Sequence, residues 1–399
     1  MTFPPARKIG NALRFRAAKL RKGTVRYYCG NLPALYTKLE AEGLRPLVLR
    51  WADDVPLTPE QEQKCPHDVD HLIADDTAAR IGQIAAAFPG PVKCDFYSVS
   101  GQSGSAYKAY PYYPPVLALD LLDHAIKDSR GFWRPDPLHE YYAFAYHLCY
   151  HKGHRSGLAL GYDAQADTPV SRDYASELRR LASLADQSPP DPLTLRSLHE
   201  ALCAAGWNMP EDLVTRWPDQ HEALRQLAKV NTSSLTDLAA IAKDLTVFVL
   251  RADCDTDALR DAARAQISTR FKILREVELT GPQVEAMMRK TRGGNWIEKY
   301  CKCPVPPTHA IICRNAQTPG PLPDGMTPDK MRARYPHVHH SDVLIKRDIR
   351  QALNQRIGAG ANRVLLHATD NPEETVITLQ AVYGAKTEPE LRALATHDT

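Results

Sequence analysis

The sequence predicts a protein of the α/β (α+β) class with more than one domain. At 399 residues the chain is too long for one ordinary core, so two or three domains are expected. Short β-rich runs alternate with helical periodicity near both ends of the chain, whereas the middle is helical throughout. The apolar content and the net charge of +3 are ordinary for a globular protein and indicate no particular class of partner.

These patterns divide the chain into five segments. They are a basic segment (residues 1–23), a mixed-sheet α/β domain (24–170), a helical module (171–243), a second α/β domain (244–385) and a polar tail (386–399), which we expect to fray. Proline-rich breaks separate the short amphipathic helices of the module.

The N-terminal segment is strongly basic. Residues 1–26 contain eight lysines and arginines and no acid, with a few apolar side chains interspersed. No apolar stretch is long enough for a signal peptide or a membrane-spanning helix. Two readings stay open: a peripheral contact with an anionic membrane surface or another polyanion, or a solvated arm.

Nine cysteines stand at scattered spacings. Without an export signal, this pattern predicts reduced thiols in a cytoplasmic protein. The one cluster, Cys301, Cys303, His309 and Cys313, lacks a second C-x-C or C-x-x-C pair, so no zinc site is predicted.

Within the first α/β domain, strands are predicted at residues 47–51, 69–73 and 92–99. Asp68 and Asp70 lie one residue apart, so an extended strand directs both to one face, and Asp95 on the next strand can reach the same point. Three hard oxygen ligands are typical of a Mg²⁺ or Mn²⁺ site. The alternative is that these aspartates are turn and edge-strand residues.

An aromatic, histidine-rich helix is predicted over residues 139–150. Five of its side chains share one stripe: His139, Tyr142, Tyr146, His147 and Tyr150. The helix ends in a glycine-containing, cationic stretch in which Lys152 and Arg155 are candidate phosphate ligands. A buried aromatic helix with a polar cap is the alternative.

This domain resembles the nucleotidyltransferase superfamily, and within it the fukutin-like and phosphocholine-transferase-like branches. The resemblance rests on Leu47-Val-Leu-Arg-Trp, Asp68-Val-Asp-His-Leu-Ile and Lys93-Cys-Asp-Phe-Tyr. It implies that Asp68, Asp70 and Asp95 bind the metal and carry the catalysis. Residues 49–53 replace the glycine-containing turn that usually precedes the D-x-D motif, and we expect Arg50 in this stretch to contact substrate phosphate.

The resemblance implies a metal-dependent transferase of nucleotidyl or phosphoryl groups that acts on activated sugar or alditol phosphates in cell-surface polysaccharide assembly. Its expected partners are a nucleotide or a nucleotide-activated alditol or sugar, and a glycan acceptor. The implied location is the cytoplasm, at the inner face of the membrane, with residues 1–26 supplying the contact. No nucleic acid is expected as a partner.

The second α/β domain resembles nucleoside diphosphate kinase. The match is carried by Asn362-Arg-Val-Leu-Leu-His-Ala-Thr-Asp and by an element order that fits a ferredoxin-like βαββαβ layout. The resemblance implies a phosphate-accepting role for His367, with Asp370 nearby. It further implies that Arg251, in place of the kinase lysine, and Arg363 contact phosphate.

Two alternatives to the transferase therefore stay open. The C-terminal domain could be an NTP kinase that forms a phosphohistidine at His367. The whole chain could instead be a non-catalytic nucleotide-binding scaffold.

Overall fold

A computed structural model describes residues 26–396 except 103, 109, 162–171, 215–216, 220, 299, 302, 323–324 and 359. The predicted basic segment, residues 1–23, therefore lies outside the described residues. The protein has a mixed α/β architecture, as the sequence predicted. In the described part of the chain, no helix is both long and apolar enough to cross a membrane.

The chain forms two compact units. Unit 1 comprises residues 1–209 and 214–227, and unit 2 comprises residues 210–213 and 228–399. Most of the predicted helical module, up to residue 227, thus belongs to unit 1. The described residues of each unit have their own hydrophobic core.

Unit 1 is built on a six-stranded mixed sheet with the strand order β1-β4-β3-β2-β6-β5. β3 and β4 are parallel, as are β2 and β6, and the other neighbours are antiparallel. The strands are β1 (Arg26–Cys29), β2 (Leu47–Val48), β3 (Asp68–Ile73), β4 (Val92–Ser98), β5 (Ala125–Lys127) and β6 (Trp133–Pro135). β1 was not predicted, since its sequence continues the basic segment.

Seven α-helices lie wholly within the described residues of unit 1. They are α1 (Leu32–Ala41), α2 (Pro59–Lys64), α3 (Ala78–Ala85), α4 (Pro115–Asp123), α5 (Pro137–Tyr146), α6 (Tyr174–Leu184) and α7 (Leu195–Ala204). Proline in the first turn of α1, α4 and α5 fits these starts, because its missing N–H needs no partner there. Two further helices, α8 (Glu211–Val214) and α9 (Glu222–Ala242), include the boundaries between the units.

Unit 2 is built on a four-stranded antiparallel sheet with the order β12-β7-β11-β8. Its strands are β7 (Leu245–Arg251), β8 (Phe271–Glu278), β11 (Pro307–Asn315) and β12 (Leu366–Ala368); a separate two-stranded ribbon joins β9 (Ile297–Glu298) and β10 (Cys303–Pro304). Numbered along the chain, the order is 4-1-3-2, the one that a βαββαβ chain forms. Alternate residues of β7 belong to two different core clusters, so both faces of the sheet are covered.

The helices of unit 2 are α10 (Asp257–Ile267), α11 (Gly281–Lys290), α12 (Pro328–Arg334), α13 (Lys346–Ile357), α14 (Pro372–Tyr383) and α15 (Thr387–Thr396). α15 lies where the sequence predicted a frayed tail. Its Leu391 and Leu394 are buried, and burial of an apolar face stabilises a helix that its own polar sequence does not. The prediction of reduced thiols is wrong at one point, because Cys301 and Cys303 form a disulfide.

Candidate functional site

Three carboxylates converge at one point on the sheet of unit 1. Asp70 on β3 and Asp95 on β4 are directly paired in the parallel register, and Asp68 lies two residues earlier on the same face of β3. Ligand oxygens of the three side chains all lie within 4.8 Å of one another. This group can bind a metal ion, and the structure places its members together as the sequence predicted.

Each of these carboxylates is paired with a cation. Lys93 Nζ donates to Asp68 Oδ2 at 2.9 Å, and Arg50 Nη2 donates to Asp70 Oδ2 at 2.5 Å. Arg26, next to Asp95 across β1 and β4, donates to both Asp95 oxygens at 2.8 Å. Arg26 therefore occupies the oxygens that a metal bound by Asp95 would need.

Charge crowding and burial set the protonation of this group. Burial raises the pKa of Asp70 to about 6; Arg50 opposes the shift, and Asp68 and Asp95 add to it. Burial favours the neutral form of Asp68, but the hydrogen bond and charge of Lys93, a backbone hydrogen bond and the charge of Arg50 together outweigh burial and lower the pKa of Asp68. Because metal ions bind the ionised carboxylate, protons compete with the metal at Asp70, and metal binding should weaken as the pH falls.

The carboxylates lie at a cavity of about 350 Å³ that is rich in cations and rings. Lys152 and Arg155 line it, as predicted. The other lining cations are Arg26, Arg50 and Arg172, and the lining rings include Trp51, Tyr97, Tyr107, Tyr112 and Tyr174. Five cations exceed three acids, so the cavity carries a net positive charge suited to an anionic ligand.

Arg50 lines this cavity, and one nitrogen of its guanidinium makes no hydrogen bond to the described residues. The side chain is only 7% exposed, and its guanidinium lies 5.1 Å from the centre of the Tyr112 ring. Nη2 bonds Asp70, but Nη1 is buried without a hydrogen-bond partner among the described residues. An unpaired buried donor is costly, so Arg50 is well placed to bind an oxygen of an anionic ligand.

The turn that follows Arg50 contains no glycine, although the superfamily resemblance predicts a glycine-containing turn there. Trp51 has φ 53° and ψ 41°, in the left-handed region that glycine usually occupies. This conformation costs about 1 kcal/mol for a residue with a side chain. The ring packs edge-on against Phe144 and Tyr174 and lies 4.2 Å from the Arg172 guanidinium, contacts that hold the strained turn.

The predicted histidine-rich helix is interrupted. α5 ends at Tyr146, and residues His147–Lys152 form a wider, π-helical turn, a feature frequent at functional sites. His147 and His151 line the cavity; burial, and then the charge of Arg50, lowers the pKa of both well below the usual value, so both are neutral.

Hydrogen bonds and ring stacking hold these two imidazoles in place. Tyr112 OH lies 2.8 Å from His147 Nδ1, and His151 stacks on Trp217 with ring centres 4.8 Å apart. The five residues of the predicted stripe do not share one environment. His139 pairs with Asp136, and Tyr142 stacks on Trp207.

Several residues that line the cavity were not predicted from the sequence as site residues. In the sequence Arg26 is one more cation of the basic N-terminal residues, and only the pairing of β1 with β4 places it at the carboxylates. Arg172 and Tyr174 lie at the start of α6, far along the chain from Trp51, and no spacing rule connects them with it.

The residues of unit 2 that were predicted from the kinase resemblance do not line one shared cavity in the described structure. His367 lies on β12 beside a cavity of only about 10 Å³, which has room for about one water molecule. Lys290, Arg292 and Glu374 line this cavity, but Arg251, Arg363 and Asp370 do not.

Each of the other residues predicted from the kinase resemblance has a different environment. Arg251 is 1% exposed, donates to the carbonyl oxygens of Trp296 and Val305 and lies 3.5 Å from Glu298, so its role is structural. This environment gives no support to the predicted phosphate contact of Arg251, because protein groups already enclose its guanidinium. Asp370 is buried against Lys346 and His337, and Arg363 lines a different cavity.

We found no match to this chain among protein-family models, curated proteins or solved structures, so both family resemblances remain predictions.

Proposed function

We propose that unit 1 is a metal-dependent nucleotidyl- or phosphotransferase that acts on activated sugar or alditol phosphates. The observation that carries the proposal is the group of three carboxylates, with ligand oxygens within 4.8 Å of one another, at a cavity with excess positive charge. The assignment to cell-surface polysaccharide assembly, at the inner face of the membrane, comes from the superfamily resemblance alone.

The donor set fits Mg²⁺ or Mn²⁺. Asp68, Asp70 and Asp95 offer hard anionic oxygens from two adjacent strands, a rigid support for a divalent ion. Asp95 can join only when Arg26 releases it. A bound Mg²⁺ or Mn²⁺ would supply neutralisation of charge on the transferring phosphoryl group.

The chain's own residues would hold the substrate around that point. The free Nη1 of Arg50, together with Lys152 and Arg155, would bind phosphate oxygens. The rings of Trp51 and Tyr112 would limit access of water, which strengthens these charge interactions.

The test compares Asp68→Asn with Asp76→Asn. Asp68 belongs to the carboxylate group and is partly exposed, so its loss should not unfold the protein, whereas Asp76 is an exposed aspartate just after β3 that does not line the cavity. Wild type and both variants would be titrated calorimetrically with Mn²⁺ at pH 7.5. Transfer would be followed by ³¹P NMR with NTPs and CDP-linked alditols.

We expect Asp68→Asn to weaken Mn²⁺ binding at least tenfold and to reduce transfer more than a hundredfold, with Asp76→Asn equal to wild type. Transfer that survives in Asp68→Asn would contradict the proposal. Binding of Mn²⁺ and nucleotide by the wild type without any turnover would favour the scaffold alternative. The kinase alternative predicts an acid-labile label that His367→Ala removes, and the small cavity beside His367 argues against it.

A further inference from the structure

Unit 2 contains a cavity of about 600 Å³ lined by three arginines and no acidic residue. It is formed by one face of α13 and by the loop that follows it toward β12, through Gly358 and residues 360–364. We call it the arginine groove, after Arg347, Arg350 and Arg363. None of its lining residues lines the His367 cavity or the cavity of unit 1.

The three arginines of the groove lack the acidic partners that arginines elsewhere in unit 2 have. Among the described residues, no carboxylate oxygen lies within 4.0 Å of their guanidinium groups, whereas Arg264 pairs with Glu276 and Arg275 with Glu390. Cations that share one cavity without a paired carboxylate repel each other, and a bound anion would relieve that repulsion. Such a cluster is typical of an anion-binding site.

Aromatic rings position two of these guanidinium groups. Arg347 lies over the Tyr335 ring at 5.0 Å from its centre, and Arg363 lies over the Tyr300 ring at 4.5 Å. A ring contacts the flat face of a guanidinium, and the N–H donors lie in the guanidinium plane. Both groups are therefore held in place while their edges can still donate to a ligand.

The backbone that carries the groove is fixed by one buried amide. Asn354 accepts a hydrogen bond from Arg363 N at 2.8 Å and donates to the carbonyl oxygens of Arg350 and Arg363 at 2.7 and 2.9 Å. Arg350 Nε also donates to the Leu366 carbonyl oxygen at 2.8 Å. These bonds tie the loop to α13, so little ordering is needed when a ligand binds.

Of the three arginines in the groove, Arg350 is the one that a bound anion would stabilise most. Burial lowers its pKa to about 10, and the charge of Asp370 only partly compensates. A phosphate oxygen at the guanidinium would supply the missing negative charge. Gly360, at φ 83°, leaves one side of the groove without a side chain, so a ligand can approach the loop backbone there.

We propose that the arginine groove binds a small ligand that carries a diphosphate group. Three guanidinium forks match the several oxygens of a diphosphate, and a single carboxylate would leave most of their donors unused. This inference is independent of the transferase proposed for unit 1, because the two cavities share no residue.

The test uses the full chain at pH 7.5 in EDTA, with pyrophosphate and ADP as probes in titration calorimetry. The variants are Arg347→Gln, the double variant Arg347→Gln/Arg350→Gln, and Arg356→Gln as the matched control on α13, since Arg356 does not line the groove. All carry Arg50→Gln, which removes the unpaired donor of the unit 1 cavity. Circular dichroism checks that each variant folds.

We expect Arg347→Gln to weaken pyrophosphate binding about fivefold and the double variant at least fiftyfold, with Arg356→Gln unchanged. Arg347 is exposed, so its substitution should not unfold the protein, and its result stands even if the double variant unfolds. Equal or tighter binding of ADP supports the same site. Binding that is absent in the Arg50→Gln parent, or unchanged in Arg347→Gln, would overturn the proposal.

Discussion

At the scale of single residues, the pairing of Arg26 with Asp95 determines whether the Asp95 oxygens are open to a metal ion. The guanidinium spans both Asp95 oxygens and lies 4.0 Å from Asp68, so it contributes positive charge where a divalent ion would bind. Lys93 and Arg50 bond only one oxygen each of Asp68 and Asp70, which leaves those carboxylates able to bind a metal as well. Arg26 and the metal should therefore compete.

Arg26→Gln should strengthen Mn²⁺ binding. The neutral amide cannot offset the negative charge of Asp95, so the ion no longer has to displace a bidentate partner. We expect a gain of about tenfold, which corresponds to about 1.4 kcal/mol. Electron paramagnetic resonance of free Mn²⁺ during titration at pH 7.5 measures it.

The control for this competition is Arg80→Gln, an exposed arginine paired with Glu42 away from the cavity. Weaker Mn²⁺ binding in Arg26→Gln would show that Arg26 supports the metal site rather than competing for it. Binding of Mn²⁺ by neither protein would instead contradict the transferase proposal itself.

At the scale of secondary-structure elements, the site depends on β3 and β4 being parallel and in register. A shift of one residue would direct Asp95 to the opposite face of the sheet from Asp70. β1 adds Arg26 to the same edge by pairing antiparallel with β4. Helix α1 follows β1. The backbone N–H groups at its start are capped by a side chain from an element distant in the chain.

That cap is Glu62 of α2. Its two oxygens accept hydrogen bonds from the backbone N–H groups of Asn31 and Leu32 at 2.9 and 2.7 Å, and the side chain is 3% exposed. Asn31 makes no side-chain cap of its own. Glu62→Ala leaves two backbone donors unpaired, of which that of Leu32 is buried, and should lower the free energy of unfolding of unit 1 by about 2 kcal/mol.

Urea unfolding followed by circular dichroism measures this loss. The control is Glu60→Ala in the same helix, because Glu60 is exposed and pairs only with Lys64. Equal midpoints for Glu62→Ala and wild type would mean that the cap contributes nothing to stability.

At the scale of the whole molecule, each unit has its own core and its own candidate ligand. Calorimetric unfolding should therefore show two transitions. Mn²⁺ at a hundred times its dissociation constant stabilises the unit that binds it by about 2.7 kcal/mol. For a unit of this size, that is a rise of roughly 5–10 °C in one midpoint.

Pyrophosphate in EDTA, with Arg50→Gln, should raise the other midpoint instead. Scanning calorimetry with each ligand in turn measures both shifts. A single transition that moves with either ligand would contradict the independence of the two units.

The amino-acid sequence by itself determined the α/β class and the grouping of Asp68, Asp70 and Asp95. These follow from local rules, since hydrophobic period selects the element and strand alternation directs two aspartates to one face. Lys152 and Arg155 were found for the same reason, as cations at the end of a strongly patterned helix.

Only the tertiary structure decided which residues complete each site. Arg26 reaches Asp95 because β1 pairs with β4, and Trp51 takes a left-handed turn because rings from other segments hold it. Arg251 stands where the kinase resemblance expects a lysine, yet carbonyl oxygens enclose its guanidinium. The arginine groove became apparent only from the described structure, in which no acidic residue lines the cavity of the three arginines. Contacts between residues far apart in the chain fix all of these, and no local pattern encodes them.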